Sequence, residues 1–500
     1  MIGRRGVLRA GAALALAGGW PGGLAAMPQH EVLAAQASAL AGAPHRPGRM
    51  PLLGPFAGLD YDSHRGIRPL PGRAAGLPLA PDLRADLLPP GFLLSDRVRV
   101  TLDGREVSFA ADLFDFDSRY FDDVALPADQ ATRMGFAGLR LRSPLNRPDR
   151  FDDFAVFQGA SYFRMLARGG AYGLSARGLA LGTGGAAEEF PVFTELHAAP
   201  EGTGAVVRAL MESPSVTGAF SIHIRPGAPT LAEVEASLFP RVALHEAGLA
   251  PLTSMYFFGP MRRAVGDDFR PRVHDSDALV VLNGAGERLW RPLANPASLQ
   301  ISAFVDEGPR GFGLVQSRTE FAEYNDPEAA YHRRPSVWVE PLADWGPGAV
   351  MLVEIPTADE FHDNIVAFWR PAAPLAAGRR HDLRYRLHWG AAPPALAPMP
   401  VAGNAAGRAI LDARALTYVV DFDGSPPAGE VHADLQVSGA ESHGLSVFPV
   451  PEAGVTRVSF NLRPGAADVA ELRLVLRDGA GRALSDTWLH RWTSGRDGGI

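Results

Sequence analysis

An all-β chain of two unequal parts is what this sequence predicts, and three observations lead there. Apolar and polar residues alternate at period two in short runs, as in Val98-Arg99-Val100-Thr101-Leu102, Gly138-Leu139-Arg140-Leu141-Arg142 and Gly218-Ala219-Phe220-Ser221-Ile222-His223-Ile224, the pattern of half-buried strands. Gly, Pro and Asp punctuate these runs every 8–12 residues or so, which is the spacing of an antiparallel sandwich or barrel. The composition then shifts to Ala and Pro over 391–404, a semi-rigid linker, before a second set of strands.

In chain order, residues 1–26 read as a twin-arginine export signal. Arg4-Arg5 precedes an apolar run from Ala10 to Leu24, and the small Ala25 and Ala26 offer a cleavage point. Residues 27–50 show little periodicity and predict a flexible mature N-terminus. Residues 51–390 form the large β domain, with few helical stretches, the best candidates being 129–134 and 230–238. Residues 405–500 carry strands such as Leu416-Thr417-Tyr418-Val419-Val420-Asp421-Phe422 and Thr456-Arg457-Val458-Ser459-Phe460-Asn461-Leu462; their length and spacing match a small immunoglobulin-like β-sandwich without its disulfide. A chain of 500 residues exceeds one ordinary core, which agrees with two domains.

Composition excludes several functions. With 46% hydrophobic and 21% charged residues the chain is a folded globular one. A net charge of −7 gives no reason to expect nucleic acid as a partner. There is no cysteine, so disulfides, thiol nucleophiles, iron–sulfur clusters and thiolate zinc sites are all ruled out. After the N-terminal segment no stretch approaches the roughly 18 uninterrupted apolar residues of a membrane span. Nothing calls for a cofactor.

The chemistry concentrates between Val273 and Trp369, where acids, arginines and aromatics crowd together. His274-Asp275-Ser276-Asp277 is either a tight loop whose acids cap backbone amides or a pair of functional carboxylates. A metal site is disfavoured, because strand alternation puts Asp275 and Asp277 on one face and His274 on the other. Asp363 stands between His362 and the apolar Ile365-Val366-Ala367-Phe368-Trp369; it is either a turn cap at a strand entry or a partly desolvated acid with a raised pKa. Asp306, Glu307, Glu340 and Glu354 could bind sugar hydroxyls or hold arginines such as Arg310 and Arg334. Tyr162, Tyr256, Trp290 and Trp338 are ring-stacking platforms or core.

The order of these words carries a resemblance. Phe157-Gln158-Gly159-Ala160-Ser161-Tyr162-Phe163-Arg164, Ser254-Met255-Tyr256-Phe257-Phe258-Gly259, His274-Asp275-Ser276-Asp277, Trp290-Arg291-Pro292-Leu293, Arg334-Pro335-Ser336-Val337-Trp338-Val339-Glu340-Pro341 and Asp363-Asn364-Ile365-Val366 are similar to words of the periplasmic glucan biosynthesis proteins of types G and D. The export signal leans towards type D. The resemblance implies a large galactose mutarotase-like β-sandwich followed by the smaller sandwich, in a periplasmic protein of osmoregulated glucan synthesis. It implies an inverting endo-β-1,2-glucanase, a glycoside hydrolase whose general acid falls on Asp363 and general base on Asp275, with Asp277, Tyr162, Tyr256, Trp290, Arg310, Asp306, Trp338 and Glu340 as candidate substrate contacts. The implied partners are β-1,2-glucan and the glucan biosynthesis machinery at the inner membrane, with a homodimer left open. The rival readings are a non-catalytic protein that binds or presents glucan, and a transglycosylase or branching factor. Ala278, Gly308, His362 and Gln316-Ser317-Arg318-Thr319 depart from the family's words, while both aspartates are present.

Overall fold

Residues 230–238 show how tertiary pairing overrides local propensity here. Ala and Glu favour helix there, yet Thr230–Pro240 is a strand, with Ala232, Val234, Ala236 and Leu238 buried and Glu233 and Glu235 on the other face. It is clamped between strands Val216–Arg225 and His381–Trp389, so its period-two pattern wins over the helical expectation. The expected helix near 129–134 exists as the single turn Ala128–Ala131. The computed structural model describes residues 27–497 apart from 47, 123, 263–266, 391–398 and 426–429. The expected signal segment 1–26 and the first part of the Ala/Pro stretch lie outside the described residues.

The all-β expectation holds. One sheet has 11 strands; its centre runs in the order Tyr162–Met165, Ser175–Arg177, Ala247–Ser254, Ile365–Pro371, Gly348–Glu354 and Gln300–Asp306, the last being an edge. A second sheet has 14 strands and includes Val216–Arg225, Thr230–Pro240, His381–Trp389 and Val337–Pro341. Leu139, Phe157, Leu252 and Trp369 from the first sheet share one core with Phe220, Val234, Leu314 and Trp389 from the second, which is the layered burial of a sandwich.

Residues 27–41 correct the expectation of a flexible N-terminus. Met27–Ala41 is an α-helix, and its Leu33, Ala34 and Ala37 pack on Leu210, Ala219 and Phe239. The small alanines let the helix lie close to the sheet. Thr217 donates a 2.7 Å hydrogen bond to the Ala37 carbonyl, and the His30 ring is held between the hydroxyls of Ser221 and Ser237, each at 3.0 Å.

Of the expected linker 391–404, residues 401–404 already belong to strand Val401–Arg408. That strand, Leu416–Asp423, Val455–Arg463 and Glu441–Val450 form a four-stranded sheet. It shares a core with Val469–Asp478 and Thr487–Thr493, in which the Tyr418 and Phe460 rings stack at 5.4 Å and 8° and Trp488 meets both edge-on. Thr487–Thr493 also pairs in parallel with Arg288–Pro292, setting Leu289 opposite Thr487 and Trp290 opposite Trp488. Val431–Ser438, Val469–Asp478 and Thr487–Thr493 therefore continue the 14-stranded sheet.

Close main-chain approach constrains the strands that lead to the site. Gly138 pairs with Gln158, and a Cβ at Gly138 would lie 2.0 Å from the Phe157 carbonyl oxygen. Gly138→Ala is expected to destabilise the fold by about 1–3 kcal/mol, read as a lower urea midpoint at unchanged slope; an unchanged midpoint would show that the two strands separate at little cost.

Candidate functional site

Asp275 and Asp363 are far apart in sequence, and one three-residue segment brings them together. Strand Ala247–Ser254 pairs with Ile365–Pro371, setting Ser254 opposite Ile365. The next residue, Met255, accepts the Asp275 amide at 2.8 Å. Tyr256 donates its amide to Asn364 Oδ1 at 2.8 Å, and Asn364 Nδ2 returns a 3.0 Å bond to the Tyr256 carbonyl. Ser254 Oγ lies 2.9 Å from Ser276 Oγ. Both aspartates thus flank a fully hydrogen-bonded, buried seam.

Their environments differ. Asp275 is 4% exposed and is paired with Arg334 through Oδ1. Arg334 stacks over the Tyr331 ring at 4.1 Å and also donates to the Ala329 carbonyl at 3.1 Å. Burial pushes the Asp275 carboxyl up to about 6; the Arg334 charge opposes this, and the negative charge of Asp363 reinforces it. The two carboxylates therefore sense each other.

Asp363 corrects an expectation. The buried apolar strand begins two residues later, at Ile365, and the Asp363 side chain remains 36% exposed. It is the open acid of the pair. Arg164 Nη2 lies 3.5 Å from it, and Arg164 Nε donates to Ser175 Oγ at 3.0 Å. Asp363, Arg164, Tyr162, Gln158, Val156 and Phe163 line a cavity of about 190 Å³. The Tyr162 ring lies against the Arg177 guanidinium at 5.0 Å, and burial pushes its hydroxyl up.

The surrounding words support this geometry. His274 stacks on Tyr256 at 5.4 Å and 8°, sits 2.8 Å from Gln316 Oε1, and is brought down to about 4 by burial, so it stays neutral. Asp277 accepts hydrogen bonds from the Ser317 amide, at 3.0 Å, and from the Ser317 hydroxyl. It braces a loop. Among the described residues no three His, Asp or Glu side chains form a group able to hold a metal.

Several expected substrate contacts lie elsewhere. Trp290 and Trp338 are 2% and 4% exposed and belong to the core shared with the C-terminal strands, so neither offers a ring face to a sugar. Tyr256 is covered by His274. Asp306 accepts the Gly284 and Glu307 amides, both at 2.8 Å, and Arg310 donates to the Gly284 carbonyl at 2.9 Å, closing a turn. Glu340 pairs with Arg386 at 3.1 Å and His388 at 2.7 Å. None of these six lines the cavity at Asp363, whereas Tyr162 does. Arg164, Tyr331, Asn364 and the 88% exposed Phe361 near Asp363 had no role assigned from sequence. The signal for Arg164 was its place at the end of the word Phe157–Arg164, which also carries Tyr162.

A family profile described as "Periplasmic glucan biosynthesis protein, MdoG" matches residues 29–492. Among curated relatives, the "Glucans biosynthesis protein G" of Vibrio cholerae serotype O1 is 44% identical over 462 residues, covering 89% of this chain and 83% of the relative. The protein of that name from Rhodopseudomonas palustris (strain BisA53) is 43% identical over 473 residues, covering 91% of each. That from Shewanella frigidimarina is 44% identical over 461 residues, covering 89% and 80%. These names are of type G and do not support the lean towards type D.

Asp275 makes stability depend on pH. The folded state holds its proton up to about 6, against an ordinary value of 3.8, so between those values the folded protein binds more protons than the unfolded chain. The wild type should lose stability relative to Asp275→Asn as pH rises from about 4 to about 6, by at most about 1.4 kcal/mol per pH unit, with a constant difference above that window. Urea unfolding of both proteins across pH 4–7 checks the sign; a difference that does not change with pH would remove the buried-acid assignment.

Proposed function

This chain belongs to the periplasmic glucan biosynthesis protein family, and from that premise we propose that it is an exported inverting endo-β-1,2-glucanase that trims glucan chains in the periplasm. The observation that carries the reading is the pairing of one open and one buried aspartate across a common seam. Asp363 faces the cavity beside Arg164 and Tyr162, where it can deliver a proton to a glycosidic oxygen. A glucan seated over that cavity excludes bulk water from the space beside Asp363. Asp275, pushed up to about 6, is still mostly ionised at neutral pH and is a far better proton acceptor than an ordinary carboxylate, as a general base needs. Inversion requires a water activated on the opposite ring face from the acid, and two carboxylates with distinct environments divide those tasks.

One observation favours a second reading, in which the protein binds or presents glucan without cleaving it. Asp275 is already engaged by Arg334, and a permanently paired carboxylate could serve only to shape the site. The two readings part on product formation. Incubation with linear β-1,2-glucan is expected to release shorter oligosaccharides with inverted anomeric configuration. Asp363→Asn and Asp275→Asn should each lower that rate by about 100-fold or more. Release undiminished in both variants would refute the catalytic assignment, and no release with retained binding would favour presentation.

Arg334 supplies a further check, because its charge opposes the burial of Asp275. Arg334→Ala should move the acid-side limb of the kcat/KM profile to higher pH, and Arg334→Lys should restore part of the shift. An unmoved limb would mean that Asp275 is not the titrating base.

A further inference from the structure

A larger cavity, of about 550 Å³, lies where the edge of the 11-stranded sheet meets the C-terminal strands, and it shares no lining residue with the cavity at Asp363. Its size falls within the range of roughly 300–1,000 Å³ usual for small-molecule sites. One wall is the strand Gln300–Asp306, which pairs with Gly348–Glu354 on one side only. An edge strand turns alternate peptide N–H and C=O groups outward; here the Ile301 carbonyl accepts from Arg491 Nη1 at 3.3 Å, and the cavity borders the edge at Ser302, Ala303 and Phe304.

The facing wall is built from two cross-strand rows on one face of the C-terminal sheet. Gln436, Arg473 and Leu489 form the first row; Ser438, Glu471 and Arg491 form the second. The buried Arg291 and Ser302 complete the lining at 3% and 8% exposure, and the Ser302 hydroxyl has no hydrogen-bond partner among the described residues. Each guanidinium has its own carboxylate. Arg491 pairs with Glu471 at 2.6 Å, Arg473 pairs with Glu287, and Arg291 lies 3.6 Å from Glu354.

These features decide the class of ligand. Because every cation is already neutralised, the cleft has no surplus charge to recruit an anion. Oriented planar donors and acceptors remain (Gln436, the paired guanidinium–carboxylate groups, the strand edge that Arg491 reaches at the Ile301 carbonyl), together with the half-buried Phe304, which also packs on the core. Fixed polar groups beside one aromatic face suit a neutral polyhydroxylated ligand. We propose that this cleft is a second, non-catalytic saccharide site that grips a neutral glucan chain at a distance from Asp275 and Asp363. The site goes beyond the glucanase reading, which supplies only the choice of glucan.

The test uses the full chain carrying Asp275→Asn and Asp363→Asn, so that glucan stays intact, with linear β-1,2-gluco-oligosaccharide as the probe. Hydrogen–deuterium exchange at saturating probe should show protection at 300–304 and 436–438 in addition to 156–164. Titration calorimetry should give two sites per chain. Adding Gln436→Ala and Arg491→Ala, or the steric plug Ser438→Trp, should remove one site or weaken it by about tenfold or more. The same changes in the catalytically intact chain should leave cleavage of short oligosaccharides unchanged. Protection confined to 156–164, one site in both backgrounds, or preferential occupancy of the cleft by succinate would overturn the proposal. Protection at 300–304 without any hydrolysis by the wild type would instead sink the glucanase reading and leave this site standing.

Discussion

The candidate site depends on the seam formed by Ser254, Met255 and Tyr256. Met255 fixes the main chain of Asp275 through its carbonyl, and Tyr256 exchanges two hydrogen bonds with the Asn364 side chain next to Asp363. Asn364 also donates to the Ile355 carbonyl at 3.0 Å, so both hydrogens of its side-chain amide are used. Buried polar groups of this kind are satisfied in one arrangement and costly in any other. The seam therefore sets not only the proximity of the two acids but their relative orientation. It also places them at the end of the strand pair Ala247–Ser254 and Ile365–Pro371, where a rigid sheet rather than a free loop carries the geometry.

Proximity of two carboxylates would by itself raise the cost of ionising both. The structure offsets that cost unevenly. Arg334 is drawn into the buried pair with Asp275, while Arg164 reaches the more open Asp363 at 3.5 Å. The set of two acids and two arginines is neutral, yet the acids are not equivalent, because only Asp275 has lost its water. Tyr331 adds to the difference: its ring supports the Arg334 guanidinium from below and shields the pair from solvent. Burial on one side and an open cavity on the other make the two acids inequivalent, with Asp275 pushed up to about 6.

Much of this was legible in the sequence, for identifiable reasons. Period-two alternation in Gly138–Arg147 and Val216–Arg225 marks the strands because each residue's face is settled locally. The joint role of Asp275 and Asp363 is an implication of the resemblance, not of their spacing in the chain. Residues whose role depends on what packs over them were not legible. Trp290 and Trp338 have the chemistry of stacking platforms, and only the neighbouring C-terminal strands turn them into core. The helix Met27–Ala41 lacks a strong apolar stripe, so its existence rests on the sheet that receives Leu33, Ala34 and Ala37. Arg334 and Tyr331 reach Asp275 from a segment about sixty residues later in the chain, and no local spacing announces that contact.

The same shared core bears on how the two β regions work as one body. Trp290 and Trp338 come from the N-terminal strands, yet they are buried with Tyr418, Phe460 and Trp488 from the C-terminal ones. Strand Thr487–Thr493 completes the hydrogen bonding of Arg288–Pro292, and Asp486 pairs with Arg288 while accepting the Val401 amide at 2.9 Å. Removing the C-terminal strands would expose two tryptophans and an open sheet edge, a combination that favours aggregation over an independent fold. The junction is continuous with the site as well. Arg288–Pro292 leads directly to Ala294, whose amide is held at 2.7 Å by Glu354 at the end of the strand that pairs with Ile365–Pro371. The C-terminal strands thus buttress the sheet on which Asp363 is mounted, and the region serves as part of the scaffold that holds the two acids in register.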